Sequence, residues 1–166
     1  SVRGLFDFET MPQYVVIITA EEKGRAAPLS TTRNVLVQVD NVNEIPNIND
    51  QDRVLWEDIN IDDPIGAPLV VFDQDNTGFF PWGQSMSVRV IAGDENRQFA
   101  FAVSNPMQLV AVAPFDYEAM KGDPSPAPRD IVLTVEVVDN GPGALTDKAT
   151  VTVSVKDVNE PPSFPQ

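Results

Sequence analysis

Acidic side chains recur in this sequence in four short motifs. They are Trp56-Glu57-Asp58, Asp73-Gln-Asp75, Asp116-Tyr-Glu118 and Asp157-Val-Asn-Glu160. In extended backbone, residues two apart project to one side, so Asp73 with Asp75, and Asp116 with Glu118, would place like charges together. Packing such charges is unfavourable without a counter-ion. Calcium suits the role, since it takes roughly six to eight oxygen ligands from carboxylates, amides and carbonyls in flexible geometry. The chain contains no His and no Cys. That removes imidazole and thiolate ligands and favours a hard, oxygen-only ion over zinc or copper.

The same absences exclude an imidazole general base and a thiol nucleophile. Asp116 and Glu118 could in principle act as acid and nucleophile in sugar hydrolysis. Two positions on one strand leave little room for a sugar between them, and no other catalytic group accompanies them. The sequence therefore does not read as an enzyme. Asp73-Gln-Asp75 and Asp139-Asn-Gly141 also suit plain turns, because Asp and Asn bond their own backbone locally. With 25 acidic against 11 basic residues the net charge is -14. That balance repels nucleic acid and anionic membranes. No stretch of about 18 apolar residues is present to span a bilayer as a helix, and no signal peptide is visible in the chain.

The elements that must position these carboxylates read as strands. Residues 14–19, 35–39, 87–91, 131–135 and 149–155 are short, β-branched and mostly alternating. Turn residues punctuate them at 76–78, 92–94, 104–106 and 139–143. The fifteen Pro argue against helix interiors. Short antiparallel strands at this spacing point to an all-β sandwich. Trp56, in a strand-like run, is expected in the core. The apolar loop 77–83 carries Phe79, Phe80 and Trp82, which either fold over the sandwich edge or form an exposed contact site for a lateral protein partner. No Asn-x-Ser/Thr acceptor occurs. Ser125, in a Pro-rich stretch, is a candidate for O-glycosylation.

An internal repeat organises the chain. Phe6-Asp-Phe-Glu9 returns as Phe115-Asp-Tyr-Glu118, 109 residues on, and Asn41-Val-Asn-Glu-Ile-Pro46 returns as Asp157-Val-Asn-Glu-Pro-Pro162, 116 residues on. Tyr14-Val-Val-Ile-Ile-Thr-Ala20 aligns with Ile131-Val-Leu-Thr-Val-Glu-Val137, 117 residues on, and the eight-residue insertion 122–129 accounts for the step from 109 to 117. The unit matches one sandwich domain of roughly 100 residues. Residues 1–45 read as the second part of one unit with its linker, 46–160 as a complete unit, and 161–166 as the start of the next. The first segment is expected not to close a core alone, so the chain reads as a slice of a longer polypeptide, or as one completed by strands from another chain.

These motifs resemble the cadherin repeat. Asp157-Val-Asn-Glu-Pro-Pro-Ser-Phe164 is similar to that family's linker, Phe115-Asp-Tyr-Glu118 to its mid-repeat acidic motif, and Phe72-Asp-Gln-Asp75 to its paired Asp. Asp139 corresponds to its late Asp and Glu57 to its early Glu. The resemblance implies a Greek-key β-sandwich in tandem and calcium ions at the junctions between repeats. It assigns Asp7, Glu9, Asn43, Glu44, Asp73, Asp75 and Asp139 to one junction. Glu57, Asp116, Glu118, Asn159 and Glu160 go to the next, and Glu22 to one upstream. Asn41, Glu44 and Glu160 depart from the pattern, which bears on the number of ions rather than their identity. Two functions follow as expectations: an extracellular structural or adhesive module stiffened by calcium, with neighbouring repeats as partners, or a carbohydrate-binding sandwich using Phe79, Phe80 and Trp82 as its platform.

Overall fold

The computed structural model describes residues 6–76, 84–120 and 129–161. The expectations for Phe79, Phe80, Trp82 and Ser125 lie outside the described residues. The chain divides into two units, Ser1–Asn43 and Glu44–Gln166. Among the described residues there is no α-helix.

In the first unit, β1 (Gln13–Glu21) and β2 (Ser30–Gln38) pair antiparallel along their whole length, from Gln13 opposite Gln38 to Glu21 opposite Ser30. The β-branched run 15–19 supplies the strand propensity. Phe6 packs edge-on against Tyr14 with ring centroids 5.3 Å apart. Val15, Val16, Ile17, Ile18 and Leu36 remain exposed, on both faces of the hairpin.

The second unit holds β3 (Asn47–Ile48), β4 (Gln51–Trp56), β5 (Val71–Phe72), a 3-10 turn (Gln74–Asn76), β6 (Met86–Ala92), β7 (Phe99–Ala102), β8 (Asn105–Ala111), β9 (Arg129–Asp139) and β10 (Thr146–Lys156). One layer has the order β4-β10-β9-β6, with β4 parallel to β10 and the other pairs antiparallel. Facing it, β3 pairs with β5, and β7 pairs with β8. The segment leading into β5 runs along β8, through Ile65 N–H to the Leu109 carbonyl and Leu69 N–H to that of Met107. The chain switches layers at Asn49-Asp50, so β3 and β4 serve opposite sheets, as strands do at the corners of sandwiches.

Strict alternation drives this packing. Leu133, Val135 and Val137 on β9 interleave with Val151, Val153 and Val155 on β10, and all six are fully buried. Burying each such side chain contributes about 1.5–3 kcal/mol. Ile65, Leu109, Phe99, Phe115 and Tyr117 cover them from the other side. Gly93 turns the chain after β6 at φ 86°, where an added Cβ would stand 2.0 Å from the Val132 carbonyl oxygen.

Trp56 is not in the core. It is 53% exposed, because Leu55 takes the inward position and the next residue must face out. The Lys156 ammonium lies 5.2 Å from its ring centroid. The inward phase continues to Glu57, which is buried.

Candidate metal sites at the two ends of the second unit

β10 sets the geometry. Its first residues follow the turn that begins at Asp139, and its last lies beside Trp56 and Glu57. Eleven strand residues separate the two ends by about 35 Å.

At the near end, Asp73 follows β5, Asp75 sits in the 3-10 turn, and Asp139 closes β9. All three are buried. The expected extended pairing is corrected here. Asp73 Oδ1 accepts the Asp75 N–H at 2.9 Å, which curls residues 74–76 into the 3-10 turn. Asp139 Oδ1 likewise accepts Gly141 N–H at 2.9 Å and Leu145 N–H at 3.1 Å. Asp75 Oδ2 accepts Glu44 N–H at 2.9 Å, which fixes Glu44 beside the turn. The turn reading and the ligand reading therefore divide between two oxygens of one carboxylate. For Asp73, Oδ1 builds the turn, and Oδ2 is buried with no hydrogen-bond partner. Burial, chiefly, and then the charges of Asp75 and Asp139 raise the Asp73 pKa above its ordinary value, against the Asp75 N–H bond, which lowers it. A buried carboxylate oxygen without a donor, beside two more carboxylates, fits a hard cation taking oxygen ligands.

At the far end, one ligand oxygen from each of Glu57, Asp116 and Glu118 lies within 4.8 Å of the others. Glu57 is buried; Asp116 and Glu118 are exposed. Glu57 spans two segments, with Oε2 accepting Tyr117 N–H at 2.6 Å and Oε1 accepting Val158 N–H at 2.8 Å. It thereby ties the acidic turn to the 157–160 stretch. Asp116 and Glu118 are not on a strand. Asp116 Oδ1 accepts Ala119 N–H at 2.8 Å and caps a tight turn that presents both carboxylates. Asn159 and Glu160 follow Val158 and are exposed. The three grouped carboxylates are all oxygen donors, which fits calcium.

In the first unit Asp7 repeats that cap, with Oδ1 accepting Thr10 N–H at 3.1 Å and Oδ2 accepting the Thr10 hydroxyl at 2.8 Å. The shared turn gives the Phe6–Glu9 and Phe115–Glu118 repeat a structural basis. Those bonds hold the Asp7 pKa below its ordinary value. Glu22 pairs with Arg25 at 3.7 Å on the surface.

Sequence reasoning did not single out Arg129. Its Nη1 donates to the carbonyls of Tyr117 and Met120. Its guanidinium lies 4.2 Å from the Tyr117 ring centroid. An Arg after a Pro-rich stretch carries no signal of its own, since its partners are backbone carbonyls.

No protein-family model matches the chain. Among curated proteins it is 31% identical to mouse Cadherin-4 over 171 residues, covering 96% of this chain and 18% of that protein. It is 27% identical to bovine Cadherin-5, covering 96% and 20%. It is 26% identical to chimpanzee Protocadherin gamma-B4, covering 94% and 16%. The chain thus spans no more than about a fifth of the length of these relatives. Among solved structures, a protocadherin gammaB7 EC3-6 cis-dimer superposes with a TM-score of 0.74 at 24% identity, over 92% of this chain and 34% of that one. Mouse cadherin-23 EC22-24 gives 0.70 at 18%, over 93% and 45%.

Proposed function

Taking as premise that the chain belongs to the cadherin-repeat family, we propose that it is an extracellular, adhesion-type segment whose repeats are stiffened by calcium ions at their junctions. The repeat boundaries read from the sequence, 1–45 and 46–160, form part of this proposal. The observation that carries it is Asp73 Oδ2, buried without a donor among like charges. A divalent cation supplies the missing partner and neutralises Asp73, Asp75 and Asp139 together, with Glu44 held alongside by its N–H. Asp7, Glu9 and Asn43 are proposed as further ligands of that ion on the strength of the sequence repeat alone. Glu57, Asp116 and Glu118 hold a second ion at the far end, with Asn159 and Glu160 as the linker's contribution. The backbone N–H groups on Asp73, Asp139 and Glu57 aim the carboxylates before any ion arrives, which limits the ordering cost of binding. With calcium bound, linker residues lose freedom and consecutive repeats act as one stiff body.

Thermal melts test this. In millimolar calcium the midpoint rises over that in chelator, corresponding to about 2.7 kcal/mol at a hundredfold excess over Kd. Equal midpoints in calcium, magnesium and chelator overturn the proposal.

A further inference from the structure

We propose that Arg129 is a positioning residue for the far-end cation site, an inference that rests on the calcium reading of that site. Tyr117 separates the two exposed ligands Asp116 and Glu118. Its N–H is held by Glu57 Oε2 at 2.6 Å, and its carbonyl by Arg129 Nη1. The first bond fixes the peptide joining Asp116 to Tyr117, and the second fixes the peptide joining Tyr117 to Glu118. With both planes fixed, the φ and ψ of Tyr117 are set, and so are the directions in which the two carboxylate side chains leave the chain. The same Nη1 holds the Met120 carbonyl, closing the turn from its other end.

Arg129 is anchored at the start of a paired strand. It opens β9 opposite Val155 of β10, three residues before Val158, whose N–H also binds Glu57. Tyr117 is buried, and the guanidinium covers its ring. Planar stacking combined with a directed donor suits guanidinium and not ammonium. The Arg129–Tyr117–Glu57 chain thus links the strand, the acidic turn and the linker stretch.

The sign of the effect separates positioning from charge. As a charge alone, a guanidinium beside a cation site repels the ion, so its loss would tighten binding. As a positioning group, its loss loosens Asp116 and Glu118 and weakens binding. Supporting groups behind metal ligands typically alter affinity by about tenfold or more.

The test is a calcium titration of the isotope-labelled chain, following the Tyr117 amide at the far end and the Gly141 amide at the near end. In both Arg129→Gln and Arg129→Lys the Tyr117 midpoint is expected to move to about tenfold higher calcium, while that of Gly141 stays in place. Lys keeps the charge and provides a folded variant should Gln disturb β9. Unchanged or tighter binding at Tyr117 overturns the proposal, as does an equal loss at both ends, which marks a general structural role. A wild-type chain whose Tyr117 amide ignores calcium instead defeats the calcium reading itself.

Discussion

The two ends of the second unit gather carboxylates by opposite means. At the near end, Asp73, Asp75 and Asp139 are all buried, and one oxygen has no donor. At the far end a single buried Glu57 has both oxygens occupied by backbone N–H groups, while its partners Asp116 and Glu118 stay in solvent. Removing the proposed cation would therefore have different consequences. The near end is left with desolvated, mutually repelling charge, and the far end keeps a satisfied buried carboxylate and two hydrated ones. Under the calcium proposal, the near end depends on an ion for its electrostatics, and the far end on Glu57 for its structure and on an ion for stiffness.

The largest expected effect breaks the far end in chelator. Glu57→Ala strands the Tyr117 and Val158 N–H groups, and should cost roughly 2–4 kcal/mol by denaturant unfolding. A loss under about 0.5 kcal/mol would mean that Glu57 acts only as a ligand. Asp73→Asn should do the reverse at the near end. It removes a buried charge lacking a donor, so the chelated protein gains about 1 kcal/mol while the calcium-induced increment shrinks. Destabilisation in chelator would show that Asp73 is already neutralised without an ion. Asp116→Asn preserves the oxygen that caps Ala119, so in chelator it should stay within about 0.5 kcal/mol of wild type and only lose calcium response.

Another buried acid, Glu136, lies on β9 outside both candidate sites and sharpens the contrast. Glu136 is bridged by Arg89 and, at 3.4 Å, by Lys148. The Arg89 hydrogen bond, chiefly, holds its pKa below the ordinary 4.5, with Lys148 adding to it and burial opposing it. A depressed folded pKa contributes stability above about pH 4.5 that is lost as pH falls through the folded value. Glu136→Gln should flatten that acid limb slightly, identically with and without calcium. A calcium-dependent difference there would mean that the ion acts beyond the two ends.

Much of this was legible in the sequence, for physical reasons. The alternating valines of β9 and β10 face a single core and declare their period. The short pairs β3–β5 and β7–β8 do not, since two to seven residues hold little periodicity. The segment along β8 is interrupted by Pro64 and Pro68. Trp56 misled because polar residues occupy inward positions on both sides of Leu55. Arg53 is half-buried against the Ala67 and Pro68 carbonyls, and Glu57 is buried against N–H groups. Apolar pattern alone cannot reveal a phase held by satisfied polar groups. The paired acids were visible as motifs, but their division into turn-building and outward oxygens depends on hydrogen bonds that spacing does not encode.

Amide shifts across a calcium titration of the wild-type chain test the central claim most directly. Two separate groups should respond: Glu44, Asp75, Gly141 and Leu145 at the near end, and Tyr117, Ala119 and Val158 at the far end. Leu133 and Val151, in mid-sheet, should hold still. Shifts confined to one group, spread evenly over the sheet, or absent altogether would contradict a unit clamped by calcium at both ends.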